Sequence, residues 1–285
     1  MSQTWLITGA SSGLGTASPS PPSKPATKSS HSPQPHHRRL SNPQIAQLGG
    51  IWIPLDVTHP DTATHVSDAI THQAGGVIDV VVNNAGYSLL GSIEDMSEAE
   101  IQTQFSTNVF GPVRVLKGAL PFMRKKRAGT VVNISSSAGV DGAPACAMYA
   151  GSKFAVEGMS ESLSKELQPF GIRVVLVEPG YFRTKFFAAF VAPEAGLTED
   201  YIGTPVEAAL KLIKAKDGSQ KGDPVKAAQR ILEVVTGTGM GTDTEGFLRV
   251  PLGQDCYNRF QAKCDTLQAN LVRMKEIAYS TGFDA

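Results

Sequence analysis

Short runs of branched aliphatic residues alternate along this chain with longer amphipathic windows, and that alternation restricts the possible folds more than any other feature. The runs are Thr4 to Thr8, Ile51 to Leu55, Val77 to Val82, Thr130 to Ile134 and Arg173 to Val177. They are short, apolar and closed by polar or glycine residues, the pattern of strands buried on both faces. Between them, Asp61 to His72 sets Ala63, Val66, Ala69 and Ile70 at helical spacing. Ser97 with Glu100 makes a capping-box pattern that opens a helix through Phe105 and Val109, and Tyr149 to Leu167 is a further helical window. Strands and helices in this order predict a doubly wound α/β fold on a parallel sheet. Asp223 before Pro224 reads as the N-cap and first-turn proline of a helix to Val235, and Asp255 to Tyr279 reads as a long terminal helix.

Composition narrows the function. With 41% hydrophobic and 18% charged residues, the 285-residue chain has the apolar material for one large domain over 1–285. Lys plus Arg balances Asp plus Glu at 26 each, so no net field draws the protein to nucleic acid or to an anionic membrane, and small molecules are the expected partners. Cys146, Cys256 and Cys264 form no CxxC pair, which fits a reducing compartment. The run Trp5 to Ile7 is too short for a signal segment, and nothing approaches the ~18 apolar residues of a spanning helix. A cytoplasmic location follows as the expectation.

Three motifs carry chemistry. Gly9, Gly13 and Gly15 follow the first strand, where glycine lets the backbone turn sharply and approach a pyrophosphate, although such turns also occur without ligands. Asn83-Asn84-Ala85-Gly86 stands at the carboxyl end of the run Val77 to Val82, where parallel sheets bind ligands; it also reads as a plain Asn-rich turn. Tyr149 and Lys153 are one helical turn apart and share a face. A nearby ammonium favours the phenolate, so this spacing predicts a tyrosine drawn toward the neutral range for proton transfer. Upstream, Ser135, Ser136 and Ser137 end a strand and can present a hydroxyl to the same pocket. Asn108, a polar residue in an apolar helical stretch, is either functional or simply bonded to backbone.

The ordered set TGASSGLG, LDVT, NNAG, Asn108, the serine run, Tyr149 with Lys153, and Pro179-Gly180 resembles the short-chain dehydrogenase/reductase family over about residues 1–15 and 44–205. The resemblance implies a Rossmann-type domain and hydride transfer between NAD(P) and a secondary alcohol or ketone. It implies Tyr149 as acid–base, Lys153 as the group lowering its pKa and binding the nicotinamide ribose, Ser136 polarising the substrate oxygen, and Asn108 holding a relay water. It assigns cofactor contacts to Gly9, Gly13, Leu14 and Gly15, to Asp56 beside the adenine, to Asn84, Tyr149 and Lys153 at the ribose, and to Phe182 and Thr184 near the nicotinamide amide. Homodimers or homotetramers built on the helices carrying Asn108 and Tyr149 are implied as well. The stretch Arg249-Val250-Pro251-Leu252-Gly253 with Asp255, inside a C-terminal extension over 247–285, is similar to the hydroxysteroid-dehydrogenase-like branch. Phe186, Phe187, Phe190 and Tyr201 fall in a substrate-lid region, 185–222, and favour an apolar alcohol or ketone unless they only pack the lid.

Residues 16–43 break the pattern. Pro19, Pro21, Pro22, Pro25, Pro33, Pro35 and Pro43 forbid a helix interior and a central strand, so the segment is expected to be irregular and the sheet to lose one helix and one strand there. No acidic residue occurs from Thr16 to Leu55 to bond a ribose hydroxyl, whereas Arg38 and Arg39 suit a 2′-phosphate, which points to NADP with NAD as the alternative. His31, His36 and His37 lack Cys or carboxylate partners at ligand spacing, so no metal is expected. Two other readings compete with hydride transfer: an NADP-binding sensor or scaffold without chemistry, and an epimerase or dehydratase of the extended type, whose substrate domain needs a longer chain. Family-like sequence resumes by Ile51 with its spacing kept, so residues 16–43 are expected to come from a misread frame. Sequencing the transcript tests this, and a message that encodes Ser18 to Pro22 as they stand refutes it.

Overall fold

The computed structural model describes residues 3–11, 13–17, 27–30, 50–186 and 188–283. Among these, β1 (Trp5–Ile7), β2 (Thr27–Ser30), β3 (Ile51–Pro54), β4 (Val80–Asn83), β5 (Gly129–Ile134), β6 (Ile172–Pro179) and β7 (Arg249–Leu252) form one parallel sheet in the order β3-β2-β1-β4-β5-β6-β7. The order reverses between β1 and β4, which opens a crevice at the carboxyl ends of those strands. The described α-helices are α1 (Gly13–Ala17), α2 (Thr62–Gln73), α3 (Glu98–Phe105), α4 (Gly111–Lys126), α5 (Ala147–Leu167), α6 (Pro205–Ala215), α7 (Pro224–Thr236) and α8 (Gln254–Tyr279). The parallel, doubly wound architecture is the one read from the sequence.

The strands alternate sides as a pleat requires. Leu6, Val81, Val131 and Val174 face Val66 of α2 and Val115 of α4 in one core, while Ile7, Val82, Val132 and Val175 face Ala227 and Ile231 of α7 in the other. Both expected caps form: Ser97 and Glu100 exchange backbone and side-chain hydrogen bonds at α3, and Asp223 accepts from Val225 and Lys226 at α7.

The expected loss of a helix and a strand over 16–43 is corrected. A strand is present at Thr27–Ser30, paired in parallel with β1 (Leu6 with Thr27) and with β3 (Lys28 with Trp52). It lies between Pro25 and Pro33, and a proline-free stretch of that length retains the backbone N–H groups that a ladder requires. The helix is present as well, with Gly13–Ala17 among the described residues. Arg38, Arg39 and the three histidines lie outside the described residues.

Helices α2 and α4 approach so closely that a Cβ on Gly118 would stand 2.4 Å from Ala63 O and 2.8 Å from Val66 Cβ. Gly158, inside α5, has nothing within 4 Å of that position. Gly118→Ala is therefore expected to destabilise by about 1–3 kcal/mol through overpacking. Gly158→Ala is expected to stabilise by about 0.5–1 kcal/mol through backbone entropy. Urea unfolding of the two variants checks the opposite signs.

Candidate active site

The carboxyl edge of the sheet and the N-terminal half of α5 line a cleft of about 170 Å³. Gly9, Gly13 and Leu14 form one end of it, Asn84 to Tyr87 the floor, and Ser135, Ser136, Tyr149 and Lys153 the far wall. Pro179, Gly180, Phe182, Thr184 and Phe186 close the side.

Backbone proximity fixes the glycine end. A Cβ on Gly9, at φ +63°, would stand 2.7 Å from Ala85 Cα, and one on Gly15 would stand 2.7 Å from Gly9 O. The turn is clasped to β4: Thr8 Oγ1 accepts from the Asn84 and Ala85 N–H groups, each at 3.0 Å, while Asn84 Nδ2 donates to the carbonyls of Thr8 and Gly9. Gly15 faces a smaller hollow beside Trp5 and Ala228 rather than the main cleft. Asp56 also stands outside the residues that line the cleft; its Oδ1 accepts from Thr58 N and Oγ1 at 2.8 and 2.7 Å.

At the far wall Lys153 Nζ donates to Ile134 O at 2.8 Å and stands 5.9 Å from the centre of the Tyr149 ring. Ser136, with extended backbone, lines the cleft with Tyr149 and is the serine of the run that acts on its hydroxyl; Ser137 Oγ instead accepts from Arg259 Nη1. Asn108 lies just behind, in a π-helical turn over Ser106–Phe110 that joins α3 to α4. Its side chain is buried, donates to Tyr87 O and Ser152 Oγ, and accepts from Tyr87 N. The Phe186 ring tilts against Tyr149 at 6.1 Å, and Phe190 packs in the same apolar cluster. Tyr201 lies away from the cleft, hydrogen-bonded to Glu94, and Phe187 is outside the described residues.

The electrostatics differ from the expectation for this pair. Burial pushes the Tyr149 hydroxyl up to about 12, with the Ser136 hydrogen bond pulling the other way. Burial also pushes the Lys153 ammonium down to about 8, against the pull of Glu157. Desolvation outweighs charge attraction, because the ammonium is directed at a carbonyl rather than held on the phenol oxygen. The sequence reading also passed over Thr8, Gln104, whose amide bonds Leu89 N and Tyr87 O, and a set of acids behind the wall. Glu157 and Glu178 are both buried, and both share Arg249. A signal for the acids is visible in the sequence: Glu178 interrupts an apolar strand and Glu157 falls one turn beyond Lys153.

Glu178 is pushed up to about 8, first by burial and then by Glu157, with Arg249 opposing. A carboxyl raised in the folded state stabilises most below its unfolded value, and that contribution is lost as pH rises from about 4.5 through about 8. Glu178→Gln is expected to flatten the decline of stability across this window. Urea unfolding at several pH values inside it measures the slope, and an unchanged slope contradicts the assignment.

The short chain dehydrogenase family profile matches residues 3–195. The chain is 43% identical to oxidoreductase claN of Passalora fulva over 217 residues, 74% of this chain and 95% of that protein. It is 37% identical to a 3-ketodihydrosphingosine reductase of Bacteroides thetaiotaomicron over 232 residues, 81% of this chain and 82% of that one. A crystal structure of a short-chain dehydrogenase from Streptomyces avermitilis superposes with a TM-score of 0.82 at 30% identity, covering 99% of this chain and 100% of that chain. Sheet order, cleft and sequence agree, and the chain belongs to the short chain dehydrogenase family.

Proposed function

We propose that the protein is an NADP-dependent oxidoreductase that interconverts an apolar secondary alcohol and its ketone, with Tyr149 as the acid–base group. The observation that carries this reading is the convergence of Ser136, Tyr149 and Lys153 on one wall of a cleft whose other end is a glycine-rich turn. A bound nicotinamide cofactor supplies or accepts the hydride. Gly9, Gly13, Leu14 and Asn84 fit its phosphate and ribose end, because no Cβ intrudes where Gly9 and Gly13 face the cleft. Gly15 serves the same turn from behind, Phe182 and Thr184 close over the nicotinamide end, and Asp56 is assigned to the adenine side. NADP is favoured over NAD because no carboxylate from Thr16 to Leu55 opposes a 2′-phosphate.

Ser136 donates to the substrate oxygen and Tyr149 exchanges a proton with it, while Lys153 holds positive charge beneath. With the phenol up at about 12 and the ammonium down at about 8, Tyr149 is protonated at neutral pH and stands ready to protonate the oxygen of a ketone being reduced. Asn108 bonds the backbone of Tyr87 and is assigned the water of the proton relay. Phe186 and Phe190, in the lid over 185–222, give the substrate end an apolar wall. The relative named as a 3-ketodihydrosphingosine reductase supports a ketone on an apolar body.

Phe110 on the π turn and Phe154 on α5 are exposed at 51% and 43%, which supports a homodimer or homotetramer formed through those helices. Among the described residues no helix is long and apolar enough to cross a membrane; a cytoplasmic enzyme is the corresponding proposal. A second reading, an NADP-binding sensor without turnover, is favoured by the proline-rich sequence of 16–43, which follows directly on the glycine turn where a pyrophosphate would rest.

Tyr149→Phe is expected to fold normally and to lose about 10²–10⁴-fold in kcat for NADPH-dependent ketone reduction; unaltered turnover refutes the acid–base assignment. NADPH titration with a panel of apolar ketones separates the two readings, since saturable binding without cofactor oxidation across the panel favours the sensor.

A further inference from the structure

The acids behind the cleft wall are absorbed by neither reading. Glu157 follows Lys153 by one turn of α5, on the same face, and is 4% exposed. Its Oε2 is bound by Arg249 Nη1. Its Oε1 points at the turn after β5, where a Cβ on Gly139 would stand 3.0 Å from it and 2.6 Å from Ser135 Oγ. That oxygen and Ser135 Oγ are both buried without a hydrogen-bond partner, and they lie beside each other under that Gly139 position. Arg249 also binds Glu178 Oε1 at 3.1 Å and Glu161 Oε1 at 2.5 Å, and Glu178 Oε2 accepts from Val250 N. One guanidinium thus joins α5, the end of β6 and β7, three elements that carry or support the cleft wall.

We propose that Glu157, fixed from behind by Arg249, is a positioning residue that keeps Lys153 charged at the cleft. The groups around the Lys153 ammonium set its charge. From β5 it meets the Ile134 carbonyl and, next along, Ser135. On its own helix Tyr149 precedes it and Glu157 follows it by one turn, and across the cleft floor it faces Gly86, beside which the neutral Asn108 amide stands. Arg249 and Glu178 lie one layer further back, beyond Glu157. Glu157 is the one carboxylate in this set whose field acts to hold the proton on Lys153. A carbonyl accepts from a neutral amine as readily as from an ammonium, so the bond to Ile134 orients Nζ without fixing its charge. Burial favours the neutral amine, and a carboxylate one turn away offsets it. Burial pushes the Glu157 carboxyl up, and Ser135 and then Arg249 pull it back toward the ionised form. The use of that charge in proton transfer rests on the oxidoreductase reading; the charge itself does not.

Competitive labelling with trace acetic anhydride reads the charge directly. The full-length protein is labelled across a range of pH, and acetylation of Lys153 is quantified by peptide mass spectrometry. In Glu157→Gln the midpoint for Lys153 is expected to fall by about one pH unit or more relative to wild type, the scale on which a neighbouring charge acts. In Glu161→Gln, which binds the same guanidinium from a half-exposed position, the midpoint is expected to stay in place. Glu157→Met, similar in length and apolar, replaces the glutamine if that variant does not fold, and carries the same expectation. A wild-type midpoint in the folded neutral variant overturns the proposal, as does an equal fall in Glu161→Gln. The alkaline limb of NADPH-dependent ketone reduction should move down with the labelling midpoint. Wild-type protein that reduces no ketone defeats the oxidoreductase reading and leaves the labelling result to decide this one.

Discussion

The close approach of the β1 turn to the end of β4 is the constraint on which the site depends. Strand order reverses there, so helices leave the sheet in opposite directions and a crevice is left between them. That approach is possible because Gly9 has no Cβ to meet Ala85 and Gly15 none to meet Gly9 O. Thr8 and Asn84 then lock the two turns with side-chain bonds to backbone groups that the ending strands leave unpaired. Everything that faces the cleft is referenced to this junction.

The far wall is built on a different principle. Tyr149 and Lys153 are nearly excluded from water, and exclusion acts in opposite directions on them, holding the phenol protonated and weakening the ammonium's grip on its proton. A wall of this kind needs compensation close by, and it comes from behind. Arg249 sits among Glu157, Glu161 and Glu178, and burial together with the neighbouring Glu157 leaves Glu178 well above the usual carboxylate range. The C-terminal segment supplies this and more: Asp255 accepts from Tyr181 N, and Arg259 binds Asp141 and Ser137. Residues from Arg249 to Arg259 therefore brace the ends of β5 and β6 from outside, while α8 beyond Cys264 runs exposed to its end.

Strands and caps were legible because they follow from local pattern. Val80, Val81 and Val82 are apolar on consecutive positions because both faces of β4 are covered, and Ser97 and Asp223 cap helices through bonds made within a few residues. Strand β2 was not legible, since its four residues carry no apolar pattern and owe their conformation to the backbones of β1 and β3. Helix α4 was obscured by Pro121 in its interior, and β7 by Pro251, which an edge strand accommodates. Within the site, the one-turn spacing of Tyr149 and Lys153 puts them on one helix face and both line the cleft, but the balance between burial and charge attraction could not be read from spacing.

The sequence by itself determined the parallel α/β class, the glycine turn, the asparagine turn and the helix that carries Tyr149 and Lys153, because each of these is written in residues close together along the chain. Only the tertiary structure decided which serine meets the tyrosine, that Asn108 sits in a π turn bonded to Tyr87, and that Arg249 reaches back across more than ninety positions to Glu157. Those outcomes depend on desolvation and on contacts between distant segments, quantities that have no value until the chain has folded around them.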